Sequence, residues 1–322
     1  MRIYDLAGLP ERFRPQLAAF ALTDGDPPQD LRFIRRLQRW GHPVSDYYAL
    51  YAVEGGEVLS RVGSLQLPFT GRTGLQLVVG VSDVLTRPEG LGRGFARTLL
   101  RSVHRREVAS GRQWSFLWTH RSWGAHRLYE LMGYADVYSP PNALGPVRRR
   151  RRSARPAGYR LAPETASDGS RLERLLTAAS RGRLGFVPRP PGSFRTRIRL
   201  GWRKSANHHV LTTGSRAVGY AHFSDDSRWN LTANEVAVTS SEHREPMLRS
   251  LEAYAGRRPL TFQGTSFVRD SEDLLRAQGY TILPTSHGVL MAKALVGRSA
   301  VAEDLRKVFT DPGLSIHRGD MF

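Results

Sequence analysis

The chain has no cysteine in its 322 residues. That excludes a disulfide framework, a thiolate metal site and a cysteine nucleophile. It also has no apolar run approaching the ~18 residues a membrane-spanning helix needs. Its start, Met-Arg-Ile-Tyr-Asp-Leu, carries an acidic residue and no apolar stretch of signal-peptide length. A soluble protein of the bacterial cytoplasm, with no membrane partner and no metal, is expected. Lysine is nearly missing too: only Lys204, Lys293 and Lys307 stand among 48 basic residues. A nucleotide bias in the source genome would explain arginine in place of lysine. It does not explain the shortage of acid, 29 Asp and Glu, which leaves a net charge of +19. A field of that sign draws anions, nucleic acid among them.

The most informative stretch runs from Gly80 to Leu100. Leu75 to Leu85 is apolar and β-branched, hence a strand, and Pro88 stops it for want of an N–H. Gly90, Gly92 and Gly94 follow, and from Phe95 the pattern turns helical, with Phe95, Leu99, Leu100 and Val103 near one face. A strand, a glycine loop and a helix start leave free N–H groups at the positive end of a helix dipole, a site suited to phosphate or pyrophosphate. The glycines alone also fit a plain turn. No Lys-Ser or Lys-Thr follows, which excludes the NTPase loop, and Glu107 falls at the helix end rather than where a dinucleotide fold holds its ribose. Downstream, Trp114 to Thr119 reads as a short buried strand. Ala125-His-Arg-Leu-Tyr129-Glu-Leu-Met-Gly133-Tyr134 then reads as a helix with Ala125 and Tyr129 on one face.

These two segments resemble the GNAT superfamily of N-acetyltransferases. The superfamily's acetyl-CoA loop, Arg/Gln-x-x-Gly-x-Gly/Ala, falls here on Leu91, Gly94 and Ala96, with leucine replacing the expected Arg or Gln. The resemblance implies a fold class of α/β (an α+β mixed sheet), with acetyl-CoA as co-substrate. The implied cofactor-binding residues are Val84, Leu85 and Thr86 on the strand and Leu91, Gly92, Arg93, Gly94, Phe95, Ala96 and Arg97 on the loop. It further implies that Tyr129 is the acid to the departing sulfur; read alone, Tyr129 is more readily a core tyrosine. Asp83 is one candidate base, the alternative being a salt-bridged or loop-facing aspartate. The carboxylate of Phe322, or Asp320, is the other. His120 and His126 read as surface or capping residues, with His120 able to relay a proton through water.

Taken in order, Met1–Leu6 is a strand, and Pro10–Leu22 and Asp30–Trp40 are helices. Tyr47–Val53, Glu57–Leu67 and Leu75–Leu85 are strands. The first domain is therefore expected at 1–145, and an arginine-rich linker at 146–157. From Gly158 the same order begins again. Strands fall at Tyr159–Ala162, His209–Thr213, Ala217–Ser224, Asn230–Thr239, Leu260–Gly264 and Val289–Leu295. Helices fall at Asp168–Ala179, Arg244–Ala255 and Ser271–Ala277. Residues 158–296 are read as a second, degenerate copy, giving two tandem GNAT-like domains. Its loop, Val238 to Met247, has no glycine and carries Glu242 and Glu245, while Leu275 stands where Tyr129 stands in the first copy. That copy is expected to wall the acceptor pocket rather than bind CoA. Residues 297–322 form a tail with a short helix (Ala302–Phe309) and an apolar end, an arrangement similar to the Eis-like branch, where the C-terminal carboxylate is proposed to enter the first domain's pocket.

The expected activity is transfer of an acetyl group to an amine of a small molecule or peptide. Two other readings remain open. The runs Arg148–Arg152 and Arg195–Lys204 suit nucleic acid, although no helix-turn-helix, zinc or RNA-recognition pattern accompanies them. An acyl-CoA-sensing pseudoenzyme is the other, kept open by Leu91.

Overall fold

The computed structural model describes residues 1–18, 20, 47–146, 156–164, 169–185, 189, 191–195, 207–226, 228–283, 288–297, 299–311 and 314. The helix expected at Asp30–Trp40, the arginine run 148–152, most of the segment Arg195–Lys204, and Asp320 and Phe322 lie outside them. The chain divides into two compact units, one of Met1–Val137 with Leu290–Lys307, the other of Tyr138–Val289 with the described residues from Val308.

The first unit is built on β1 (Arg2–Asp5), β2 (Tyr48–Glu54), β3 (Glu57–Gly71), β4 (Gly74–Thr86), β5 (Trp114–His120) and β6 (Ala135–Tyr138). Helices α1 (Phe95–Ala109) and α2 (Gly124–Leu131) follow β4 and β5. The apolar alternation of β4 packs Val79 and Val81 against the stripe of α1, so that Val79, Leu99, Leu100 and Val103 are all buried. Of the helix expected at Pro10–Leu22, Glu11–Leu17 is a 3-10 helix with Pro15 inside it, and Ala18 and Phe20 are α-helical.

In the second unit, β7 (Asn142–Leu144), β8 (Tyr159–Pro163), β9 (His208–Thr213), β10 (Arg216–Asp226), β11 (Leu231–Val238), β12 (Leu260–Gln263) and β13 (Thr281–Leu283) make the sheet. Helices α3 (Ser170–Ala179), α4 (Arg244–Ala255), α5 (Ser266–Asp270) and α6 (Glu272–Ala277) belong to the same unit. Its buried apolar cluster joins Leu248 and Leu251 of α4 to Phe223, Leu231 and Phe262 of the strands.

The sheets have the same order. With β14 (Gly288–Ala294), the first runs β1-β2-β3-β4-β5-β14-β6 and the second, read from β8, runs β8-β9-β10-β11-β12-β7-β13. Both are antiparallel from the edge up to one parallel pair, β4 with β5 and β11 with β12. The repeat read from the sequence is therefore present strand for strand. The last strand differs from its expected place: β14 (Gly288–Ala294), read as the end of the second copy, lies in the first unit's sheet between β5 and β6. In return β7, from the end of the first copy, lies between β12 and β13 of the second sheet. Each sheet has one inner strand drawn from the opposite half of the chain. Sequence pattern sets which face of a strand is buried but not which sheet receives it, so nothing in Val289–Leu295 marks the exchange. A last helix, α7, covers Ser299–Phe309.

Candidate functional site

Two features of β4 and its exit define the site in the first unit. The parallel ladder to β5 consists of Val79↔Ser115, Gly80↔Phe116 and Val81↔Leu117 and stops there, although β4 continues to Thr86 and β5 to His120. Beyond Val81 the two strands form a fork. The cause is a bulge: Arg61 pairs with Leu85 and Gly63 with Ser82, so that Asp83 and Val84 face a single residue of β3. Asp83 sits at φ 51, the lone positive-φ residue other than glycine among the described residues. Aspartate tolerates that region better than most side chains, yet such strain is held only where surrounding contacts over-determine it. On its β3 side the bulged strand is fixed by Ser60, whose Oγ donates to the Leu85 carbonyl at 2.9 Å.

The second feature is the connection from β4 to α1. A 3-10 turn at Pro88–Gly90 is followed by the turn Leu91–Gly94, and α1 begins at Phe95. Gly92 (φ 73) and Gly94 (φ 80) adopt the left-handed conformation, and a Cβ at either would meet nothing within 4 Å. The first backbone bond of α1 runs from Thr98 N–H to Gly94 carbonyl at 3.0 Å. The N–H groups of Gly92, Gly94, Phe95, Ala96 and Arg97 therefore have no acceptor among the described residues, and no acidic residue stands in the first turn of α1. Donors and dipole together make an anion cradle. Leu91 is 64% exposed and takes no part in it. Arg93 is drawn away, paired with Glu54 and lying over the Phe95 ring at 4.9 Å, whereas Arg97 is exposed and has no ion pair among the described residues.

Tyr129 lies on α2, the helix entered from the end of β5. It is 6% exposed, its hydroxyl has no hydrogen-bond partner among the described residues, and burial pushes its pKa up. The phenol is thus a proton-bearing donor at neutral pH. Beneath it, Tyr134 packs edge-on at 6.0 Å between ring centroids. The Tyr134 hydroxyl shares hydrogen bonds with Ser115 Oγ (2.7 Å) and His104 Nε2 (2.8 Å). Burial, with the charge of Lys293, holds His104 down at about 4, hence neutral. Lys293, carried in on β14, donates from Nζ to the Met132 carbonyl at the end of α2, where a cation suits the helix dipole.

The remaining candidates are engaged elsewhere. Asp83 accepts from the Tyr47 hydroxyl at 2.8 Å and pairs with Arg61 Nη2 at 3.8 Å, with the side chains of Arg61 and Asp83 only 4% and 11% exposed. Burial, and then the charge of Asp83, push Tyr47 up; burial raises neighbouring Tyr51 to about 12. Tyr47 in turn needs Gly63, where a Cβ would lie 2.7 Å from its oxygen. His120 Nδ1 is 2.9 Å from Ser122 Oγ, and His126 Nε2 is 2.8 Å from Asp136, so both fit the surface or capping reading. The residues sequence reasoning passed over are Tyr47, Arg61, Tyr134, His104 and Lys293. Arg61 left a signal, a charge between Ser60 and Val62 in an otherwise apolar strand; Lys293 left none, because its strand was assigned to the other sheet.

Among the described residues there is no cluster of three metal-capable side chains and no helix long and apolar enough to cross a membrane.

A sheet forked at its parallel pair, an amide cradle at the following helix and a tyrosine helix beyond make up the fold of the GCN5-related N-acetyltransferases, here in tandem. No family model matches the sequence, and no curated protein matches it. Solved structures do. A GCN5-related N-acetyltransferase from Anabaena variabilis ATCC 29413 is similar over 92% of this chain and 73% of its own, with TM-score 0.65 and 15% identity. Eis1 from Mycobacterium abscessus is similar over 92% and 74%, with TM-score 0.62 and 17% identity. A tandem GNAT protein from the clavulanic acid biosynthesis pathway is similar over 92% of this chain and 99% of its own, with TM-score 0.53 and 16% identity. At such identities the likeness is one of fold.

Proposed function

We propose that this protein is an acyl-CoA-dependent N-acyltransferase that moves an acetyl group from acetyl-CoA to an amine of a small molecule or peptide, using the first unit alone for the thioester. The observation that carries this reading is the set of N–H groups of Gly92, Gly94, Phe95, Ala96 and Arg97, without an acceptor among the described residues, beside a forked strand. The cradle takes the pyrophosphate, with Arg97 near enough in sequence to add charge. The edge of β4 from Val84 to Thr86, released from β5, offers backbone groups to the pantetheine arm and the thioester carbonyl. The amine nitrogen attacks the carbonyl carbon, the C–S bond breaks, and the electron pair leaves on sulfur. Tyr129 hydrogen-bonds that sulfur as charge develops. A thiol ionises near ~8.5, well below a buried phenol, so the hydrogen bond to developing thiolate is its main contribution. The amine's proton has two candidate acceptors, Asp83 and the carboxylate of Phe322.

The reading is tested by thermal shift with acetyl-CoA, free CoA and a short DNA duplex, followed by thiol release on adding a polyamine, an aminoglycoside and a peptide with a free N-terminus. Stabilisation by acetyl-CoA with thiol release supports the enzyme. Stabilisation without release makes the first unit an acyl-CoA sensor, and a response to DNA alone removes the reading.

A further inference from the structure

The candidate base has a counterpart in the other half of the chain. In the first unit the last parallel pair is Val81↔Leu117, and Asp83 stands two residues beyond it. In the second the last parallel pair is Ala233↔Phe262, and Glu235 stands two residues beyond it. β4 is bulged at Asp83 and Val84, and β11 at Asn234, directly before Glu235, which pairs with His222. Each carboxylate is met by an arginine and a tyrosine hydroxyl. Asp83 has Arg61 and Tyr47. Glu235, fully buried, has Arg189 Nη1 at 2.7 Å and the Tyr220 hydroxyl.

The partners come from different places. Arg61 is on β3 and Tyr47 precedes β2, whereas Tyr220 is on β10 and Arg189 lies between α3 and β9. The same three groups thus assemble around the same point of the sheet from unrelated positions in the chain. The second unit has no amide cradle, and Leu275 in place of the tyrosine, so Glu235 has no acyl transfer to serve. What the two units share is the fork. A bulge strands backbone groups and bends the chain, and a carboxylate tied to two neighbouring segments holds that bend in one geometry.

We infer that Asp83 is a positioning residue, holding the β4 bulge through Arg61 and Tyr47 as Glu235 holds the β11 bulge through Arg189 and Tyr220, and not the proton acceptor of the acyl transfer. The role given to Asp83 in turnover rests on the acetyl-CoA reading above; the parallel with Glu235 does not.

The test uses the full chain with Asp83→Asn, Asp83→Ala and Glu235→Ala. Asparagine tolerates the left-handed backbone and still accepts from Tyr47, so it is the conservative variant. We expect Asp83→Ala to weaken acetyl-CoA binding about tenfold and Asp83→Asn to restore most of it, with the acidic limb of the kcat–pH profile kept in Asp83→Asn for a peptide amine acceptor. A kcat lowered about a hundredfold or more in Asp83→Asn, at unchanged acetyl-CoA affinity and with the acidic limb gone, would make Asp83 the base and overturn the inference. Hydrogen exchange separates the two failures. Faster exchange at Ser82–Leu85 in Asp83→Ala and at Asn234–Ala237 in Glu235→Ala supports the lock even if acetyl-CoA is not bound. Unchanged exchange in both variants overturns it whatever the ligand does.

Discussion

The two units differ most where they start out most alike. Each sends its fork-bearing strand through a 3-10 turn into a helix. In the first, Pro88–Gly90 is separated from α1 by Leu91–Gly94; in the second, the turn Ser241–His243 runs straight into α4 at Arg244. Four residues, two of them left-handed glycines, separate the two connections. Acid stands at this helix start: Glu245 is in the first turn of α4, with Glu242 just before it. The second fork is bridged by side chains. Thr265 Oγ1 accepts from the Val236 N–H at 3.3 Å, and Arg183 and Arg244 both close on Asp270.

The scaffolding beneath is kept. Tyr134 bonds to His104 on α1, and Tyr280 bonds from its hydroxyl to Glu252 on α4 at 3.2 Å. Tyr134 N–H closes on the Tyr129 carbonyl, and Tyr280 N–H closes on that of Leu275, each at 3.0 Å. Leu275 therefore occupies the place of Tyr129 in the fold. The glycine segment Leu91–Gly94 is thus a local insertion on a frame that stands without it.

The sharpest way to break the comparison is to give the first unit the second's charge. Gly94→Asp keeps a residue that tolerates φ 80 but aims a carboxylate at the cradle, and acetyl-CoA affinity should fall about a hundredfold or more by calorimetry, with the circular dichroism spectrum unchanged. Next in size is Tyr129→Phe, which removes the hydroxyl that Leu275 also lacks. Turnover should fall roughly tenfold or more, with acetyl-CoA affinity held; an unaltered rate would remove its role.

A smaller effect separates the two tyrosine frames by pH. His104 is held at about 4 when folded, against roughly 6.5 when unfolded. The unfolded chain therefore binds the extra proton between those values, so the stability His104 contributes is complete above pH ~6.5 and is lost as pH falls towards 4. His104→Gln should flatten that part of the melting-temperature profile. Least of all, Leu91→Arg should tighten acetyl-CoA binding about twofold to fivefold, a gain that shrinks with added salt because the position is exposed.

Much of this was legible in the residues. The strand-glycine-helix order from Gly80 to Leu100 is that of β4, the following loop and α1, and the repeat from Gly158 was visible in spacing. Three things were not legible. The exchange of β7 and β14 depends on which sheet edge is open, a property of neither strand. The bulge at Asp83 depends on the register with β3, and the burial of Arg61 depends on the bulge. Arg93, expected to supply charge, is captured by Glu54 from a strand some forty residues earlier in the chain.

The central claim is that the amides from Gly92 to Arg97 hold the pyrophosphate of a CoA thioester in the first unit. Titration calorimetry of the full chain with acetyl-CoA at low salt tests it most directly. The expected result is saturable uptake of one molecule per chain that Gly94→Asp weakens about a hundredfold or more. Absence of uptake, or uptake that Gly94→Asp leaves intact, would contradict it.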